Sequence, residues 1–505
     1  MKSTNQSIKR NPIILTIAAA AVSTASLAQA APPWDQTYKL LPSDGDTFAL
    51  FGNSVAVSGN TAVIGAHGDA SYIGSAYVFD ITTGQNLFKL LASDGAQADV
   101  FGYSVDISGS TAVIGAYLDD DNGTDSGSAY VFDTTTGQQL FKLLPADGAA
   151  GDQFGNSVAI SGNIAVIGSQ LDDDHGFNSG SAYVFDTTTG QQLFKLLPTD
   201  GAEGDNFGFS VAINGNNAVI GAHRDDDNGS DSGSAYVFDI TTGGQLFKLL
   251  ASDGSVADSF GSSVAVNGNT AVIGAFRNGD NGYQSGSAYL FDITTGQQLF
   301  KLLPDDGTQE DNFGFSVAVT GNEAFIGTTG NGSDYGSTYV FDITTGQQMV
   351  KLLASDGSQF DEFGYSVAAN ANNTVVIGAR FDGDNGNASG SAYIFQQRTA
   401  NLLTITPDPL IANQQAIFSI SQAIPSEQTW LIYSLDGLQQ TFIRQLNVVV
   451  DLANPKMVVK PRKTDTNGDL QFILPMPGIQ FPLDIWLQAV QHGHVTNFVA
   501  TQLIP

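Results

Sequence analysis

The chain of 505 residues contains no cysteine. That absence excludes disulfide bridges, thiol nucleophiles, thiolate metal sites and a lipid-bearing cysteine, and leaves core burial as the source of stability, for which the chain is long enough. Basic residues are scarce: 19 Lys and Arg stand against 50 Asp and Glu, for a net charge of −31. So acidic a surface repels a phosphate backbone, which excludes nucleic acid as a partner; it suits a solvated extracellular surface or one that attracts cations. Beyond the first thirty residues no apolar run approaches ~18 residues, so no transmembrane segment is expected there. Conventional catalytic patterns are missing as well: there is no HExxH, GxSxG or phosphate-binding loop. Of the five histidines, His67, His175 and His223 stand singly, and His492-Gly493-His494 reads as a polar turn between Val490 and Val495.

The N-terminus has its own logic. Lys2, Lys9 and Arg10 precede an apolar run from Ile13 to Leu27, and Ala28-Gln29-Ala30 supplies small residues where a signal peptidase reads. Residues 1–30 are therefore expected to be a secretory signal peptide cut after Ala30, with the protein extracellular, cell-surface or periplasmic. Loss of its three basic residues takes the net charge from −31 to −34.

What the chain has in abundance is repetition. Phe-Gly recurs at Phe51, Phe101, Phe154, Phe207, Phe260, Phe313 and Phe363, at spacings of 50, 53, 53, 53, 53 and 50 residues. Each unit holds four short runs rich in Val, Ile, Phe and Tyr, divided by Gly, Asn, Asp and Thr turns, with nothing long enough for an ordinary helix. Four strands at this period specify propeller blades. Lys-Leu-Leu, the core of the fourth strand, occurs at Lys39, Lys89, Lys142, Lys195, Lys248, Lys301 and Lys351. Its first copy precedes the first Phe-Gly and none follows Ala392–Phe395, so Tyr38–Leu41 is expected to complete the last blade. The fold class is all-β: a seven-bladed propeller over residues 36–397, closed by an N-terminal strand.

On FGNSVA…AVIGA and its seven recurrences, the chain resembles the FG-GAP repeat family, which includes the propeller of integrin α subunits. Kelch and WD repeats do not fit, because Trp34, Trp430 and Trp486 all lie outside the repeats. A quinoprotein propeller does not fit either, since Phe stands where its docking Trp belongs. The resemblance implies a seven-bladed propeller and a role in extracellular adhesion.

Two sets of loops should share one face: those between strands 2 and 3, and those joining strand 4 to the next blade. Both are acidic, whereas the opposite turns, SGNT and TTTGQ in type, look nearly uncharged. The strand 2–3 loops repeat Asp/Asn-x-Asp-Asn/His-Gly, which puts Asp119, Asp121, Asn122, Asp172, Asp174, Asp225, Asp227, Asn228, Asn278, Asp280, Asn281, Asp382, Asp384 and Asn385 forward as calcium ligands. Calcium takes several oxygens in a Gly-containing turn, and crowded carboxylates otherwise repel. The same residues also make good turns without metal, so both readings stand. Integrin propellers hold calcium between strands 1 and 2, where this chain has only SGNT; those ligands do not transfer.

From about residue 401 the repeat stops and seven apolar runs follow, which suggests a β-sandwich of immunoglobulin or fibronectin type over 401–505. The functional expectation is a secreted, non-enzymatic binding or adhesion protein. It would recognise an extracellular protein or polysaccharide through the acidic face, with calcium as a possible cofactor. Two other classes remain: an extracellular lyase or glycosidase using the face's carboxylates, and a structural matrix component.

Overall fold

The computed structural model describes residues 34–330 and 335–397 in full, and between 402 and 504 the backbone of the strands. The expected signal peptide lies outside the described residues.

The repeats form seven sheets of four antiparallel strands. Blade 3 shows the pattern, with strands Phe154–Ser161, Ile164–Ser169, Ser181–Asp186 and Gln191–Leu196 running from the axis outward. Period-two alternation of large apolar residues makes these segments strands, and Gly ends them. Gly162 takes φ 61° in the first hairpin and Gly190 φ 71° in the second, which L side chains adopt at a cost. A bulge between Val184 and Phe185 sharpens the twist of the outer pair. The one helical turn among the described residues is Asp69–Tyr72.

Each core sits between two blades. Val113, Val131 and Leu143 of blade 2 pack with Phe154, Val158, Ile167, Tyr183 and Phe185 of blade 3. Phe154 meets Tyr183 and Phe185 edge-on at 5.5 and 5.8 Å, an arrangement repeated in every blade. Each such ring contributes about 1.5–3 kcal/mol on burial before chain entropy is counted. The Phe-Gly pair also joins neighbours: Phe154 bridges to Gly127 of the preceding blade, and Phe207 to Gly180. A Cβ on Gly180, at φ 83°, would run into the Phe207 carbonyl oxygen, so the glycine serves both close approach and a left-handed backbone.

The ring closes as the repeat count requires. Trp34–Leu40 pairs antiparallel with Ser391–Gln397, from Trp34 opposite Gln397 to Leu40 opposite Ala392, and forms the outer strand of blade 7. Leu40, Ala392 and Ile394 then share a core with Phe51 and Tyr77 of blade 1. The seam reproduces an ordinary cross-blade bond: Ser355 donates its N–H to Gln36 at 2.9 Å, as Ser93 does to Gln139.

The C-terminal stretch is all-β in its described backbone. One sheet joins Leu402–Thr406, Gln415–Ser421 and Leu470–Pro475; another centres on Gln428–Ser434 and Leu483–Gln491. Val490 pairs with Val495 and Gln491 with His494; the expected turn at His492-Gly493 lies outside the described residues. The packing of these sheets, and with it the expected sandwich, lies outside the described residues.

Candidate functional site

The loops between strands 2 and 3 and the blade-joining loops do emerge together, and a lysine sits between them. In blade 3 the fourth strand delivers Lys195 so that its Nζ lies 2.8 Å from Asp147 of the joining loop, 3.0 Å from Asp172 and 2.6 Å from Asp174. Lys142 holds Asp94, Asp119 and Asp121 at 2.8, 3.0 and 2.6 Å; Lys248 holds Asp200, Asp225 and Asp227 at 2.8, 2.9 and 2.6 Å. At the seam Lys39 meets Asp356, Asp382 and Asp384 at 2.8, 2.8 and 2.5 Å. Lys301 binds Asp253 and Asp280, Lys89 binds Asp44 and Asp69, and Lys351 binds Asp306. Below each ammonium lies the buried tyrosine of the third strand, with Lys195 5.1 Å from the Tyr183 ring centre. Burial pushes the Lys195 ammonium toward losing its proton, but Asp147, Asp174 and Asp172 outweigh it and hold the pKa well above the usual lysine range.

The expected calcium ligands therefore divide by position. Asp172 is buried, accepts from the Tyr183 hydroxyl at 2.8 Å and from the Asp174 N–H at 3.1 Å, and shares Lys195 with Asp174. Asp119, Asp225 and Asp382 are placed alike, each accepting from the tyrosine of its own blade. Asn278 holds the corresponding place in blade 5 but accepts from Ser287 and donates to Asp258. Two of the amides at the fourth position point elsewhere, Asn228 donating to the Ala251 carbonyl and Asn385 to that of Pro42; the backbone N–H groups of Asn122 and Asn281 donate to the Ser126 and Ser285 hydroxyls. Among the described residues no cluster of three or more His, Asp or Glu side chains is arranged to hold a metal ion. The donor set does not fit calcium where the carboxylates converge, because a tethered ammonium already occupies that point and accounts for their crowding.

A second row of buried aspartates lies in the blade-joining loops. Asp152 and Asp205 accept from the Ala149 and Ala202 N–H groups at 2.7 Å, and burial pushes both carboxyl groups up to about 6 against those hydrogen bonds. The opposite face is less bare than its composition suggested. An aspartate closes the third strand in six blades, as Asp186 does in blade 3, where it accepts from the Thr188 N–H and hydroxyl and so fixes the TTTG turn. The acidic face still carries the excess: Asp147, Asp152, Asp172, Asp173 and Asp174 against Lys195 in blade 3.

What repeat reading missed are the positions where the repeats differ. The residue after Phe-Gly and the one just after the second strand gather near the axis, where the inner strands begin. His67 packs edge-on to Tyr103 at 5.4 Å, Tyr103 on Tyr117 at 4.5 Å, Phe209 on His223 at 3.9 Å and Phe315 on Tyr365 at 4.8 Å. Arg380 stacks over Tyr365 at 3.6 Å and donates to Glu362 at 2.8 Å. Burial lowers His67 to about 4 and His223 to about 3, so both are neutral at physiological pH and unsuited to proton transfer there. Farther out on the same face Phe177 and Tyr283 are 65% exposed, and Phe48, Tyr72, Phe360 and Phe381 are exposed too. The available signal was variation: aromatic residues at slots that other repeats fill with Gly, Ala, Ser or Asn.

Comparison with known families agrees with the architecture. A family model described as FG-GAP repeat matches seven segments, residues 34–79, 86–132, 138–185, 191–238, 244–291, 297–341 and 347–395. No curated protein matches the chain.

Proposed function

The chain belongs to the FG-GAP repeat family, and from that premise we propose that it is an exported, non-enzymatic binding or adhesion protein whose acidic propeller face engages an extracellular protein or polysaccharide. The observation that carries this reading is where exposed aromatic rings lie. Phe48, Tyr72, Phe177, Tyr283, Phe360 and Phe381 all stand on the loops of the acidic face, whereas the large apolar residues exposed on the described hairpins of the opposite face are leucines of the fourth strands, Leu87, Leu140, Leu193, Leu246 and Leu299, and none is aromatic. Exposed rings amid polar loops mark contact surfaces, since isolation from water would otherwise favour burying them. No helix among the described residues is long and apolar enough to cross a membrane.

The same reading makes the face independent of calcium at its loops. Seven lysines supply the counter-charge that a metal would bring, so partner binding should survive chelation. It also disfavours catalysis. Asp172 and Asp174 share one ammonium, and Asp152 accepts a backbone N–H, which leaves none of these carboxylates poised as an acid–base pair.

Binding to arrayed extracellular proteins and polysaccharides tests the proposal. The pair Phe177→Ala and Tyr283→Ala should weaken the strongest interaction at least about tenfold, as loss of two exposed anchors does. Gln138→Ala with Gln191→Ala, on the opposite side, should leave it unchanged. The reverse pattern would move the site off this face, and release of sugar ends from a polysaccharide would replace binding by catalysis.

A further inference from the structure

Two positions in each blade-joining loop adopt a left-handed backbone: a buried one, filled by Leu50 and Val100 in two of the loops, and, two residues before it, a more exposed one. Gly151 and Gly204 occupy the latter at φ 92°, and Ala98 and Ala257 at 76° and 64°. On the loops flanking the strand 2–3 loop of blade 7 the same position holds Phe48 at φ 63° and Phe360 at φ 75°. A bulky residue is an outlier in this region, and strain of that kind concentrates at functional sites. Packing does not compensate it, because Phe48 is 51% exposed and Phe360 60%. Both rings, together with Phe381, line a cavity of about 570 Å³ whose polar wall includes Asp361, Asp382 and Asp384.

Its chemistry narrows what could enter. Lys39 is held by Asp356, Asp382 and Asp384, and Arg380 by Glu362 and the Tyr365 ring, so the nearest cations are already engaged. The surroundings stay net negative and would repel an anion. A bare metal ion needs an oxygen cage, which three phenyl walls do not supply. A cation with a greasy surface suits both parts of the wall: its charge meets the ring faces and the negative excess left where the single Lys39 ammonium stands against Asp361, Asp382 and Asp384, and its methyl groups lose little water on entry.

We propose that this cavity at the closure seam binds a weakly hydrated organic cation of the quaternary ammonium type. The inference deepens the binding reading above and rests on it for the choice of face. The two phenylalanines would be kept in their strained conformation for this ligand, where glycine would serve the fold better.

The probe is choline, titrated into the mature protein by calorimetry and by saturation transfer to its methyl protons, with glucose and arginine amide as comparators. Saturable choline binding is expected, with glucose silent and arginine amide weaker. The double substitution Phe48→Gly and Phe360→Gly should weaken choline binding at least about tenfold while the protein unfolds at the same or a higher temperature. Because glycine already occupies this position in blades 3 and 4, loss of binding could not be ascribed to misfolding. Absence of saturable choline binding, or binding indifferent to the double substitution, overturns the proposal. Glucose bound in place of choline would do so in favour of a neutral sugar, and tighter arginine amide in favour of a basic side chain. Failure here with array binding still lost in the Phe177/Tyr283 variant would remove only the cavity; the opposite result would remove only the wider face.

Discussion

Blade 3 and the seam between blades 7 and 1 share one frame. In blade 3, Gly151 precedes Asp152 in the loop that enters the inner strand, and Lys195 gathers Asp147, Asp172 and Asp174 above Tyr183. At the seam, Lys39 gathers Asp356, Asp382 and Asp384 above Tyr393 in the same way, though the lysine comes from the opposite end of the chain. The difference lies in what the frame displays. Where blade 3 has glycine the seam has Phe360 and Phe48, and Ala49 follows where other loops place a buried aspartate. In a repeat protein, then, what recurs holds the ring together, and what departs from the repeat at no benefit to folding is where a ligand should be sought.

The frame can be broken most severely at its lysines. Lys195 is 16% exposed and Asp172 5%, so Lys195→Met leaves a buried carboxylate without its partner and should lower stability by about 3–5 kcal/mol in urea unfolding. Lys351→Met, whose partner Asp306 is 54% exposed, should cost no more than about 1 kcal/mol. Equal losses at the two sites would mean that burial of the network is not what makes it matter.

The buried aspartates of the blade-joining loops give the next effect, with a definite sign. Burial pushes the Asp152 and Asp205 carboxyl groups up to about 6 in the folded protein, above their ordinary value of 3.8, so the folded state holds the extra protons between those values. Their contribution is therefore present at low pH and lost as pH rises from about 4 to about 6, on the order of 2 kcal/mol for each. Asp152→Asn with Asp205→Asn should flatten that part of the stability profile. A profile unchanged by the double substitution would show that these carboxyl groups are ionised throughout.

The smallest of the structural effects should be a gain. Phe360→Gly relieves a left-handed phenylalanine and should raise stability by about 0.5–1 kcal/mol, whereas Gly204→Phe in blade 4 should lower it. Destabilisation by Phe360→Gly would mean that the ring packs in solution and is no reserve for a ligand.

These cases also show how far the sequence could be read. Seven Phe-Gly pairs, seven Lys-Leu-Leu copies and the displaced first copy contained the blades and their closure, because a repeat states each constraint seven times. The carboxylates of the acidic loops were visible for the same reason. Their partner was just as regular, yet Lys195 reads as part of a core strand until the end of that strand is known to lie beside the Asp172 loop. In an acidic chain whose repeats contain only Arg224, Arg277 and Arg380 besides these lysines, one fixed lysine per acidic loop was the clue. The TTTG turns were misjudged because Asp186 was assigned to the strand it ends rather than to the turn it fixes. Phe48, Phe360 and the Tyr103–Tyr117 pair stayed hidden for the opposite reason, since aligning repeats favours what they share.

We infer that tethered ammonium groups, rather than metal ions, hold the acidic loops. Thermal unfolding of the protein, with calcium added to about 1–5 mM and again with chelator, decides between them. Anything bound only by the folded state raises stability by mass action, by ~2.7 kcal/mol at a hundred times its dissociation constant. Coincident unfolding curves in calcium and chelator are expected. A clear upward shift specific to calcium would contradict this inference and return Asp119, Asp172, Asp225 and Asp382 to the role of metal ligands.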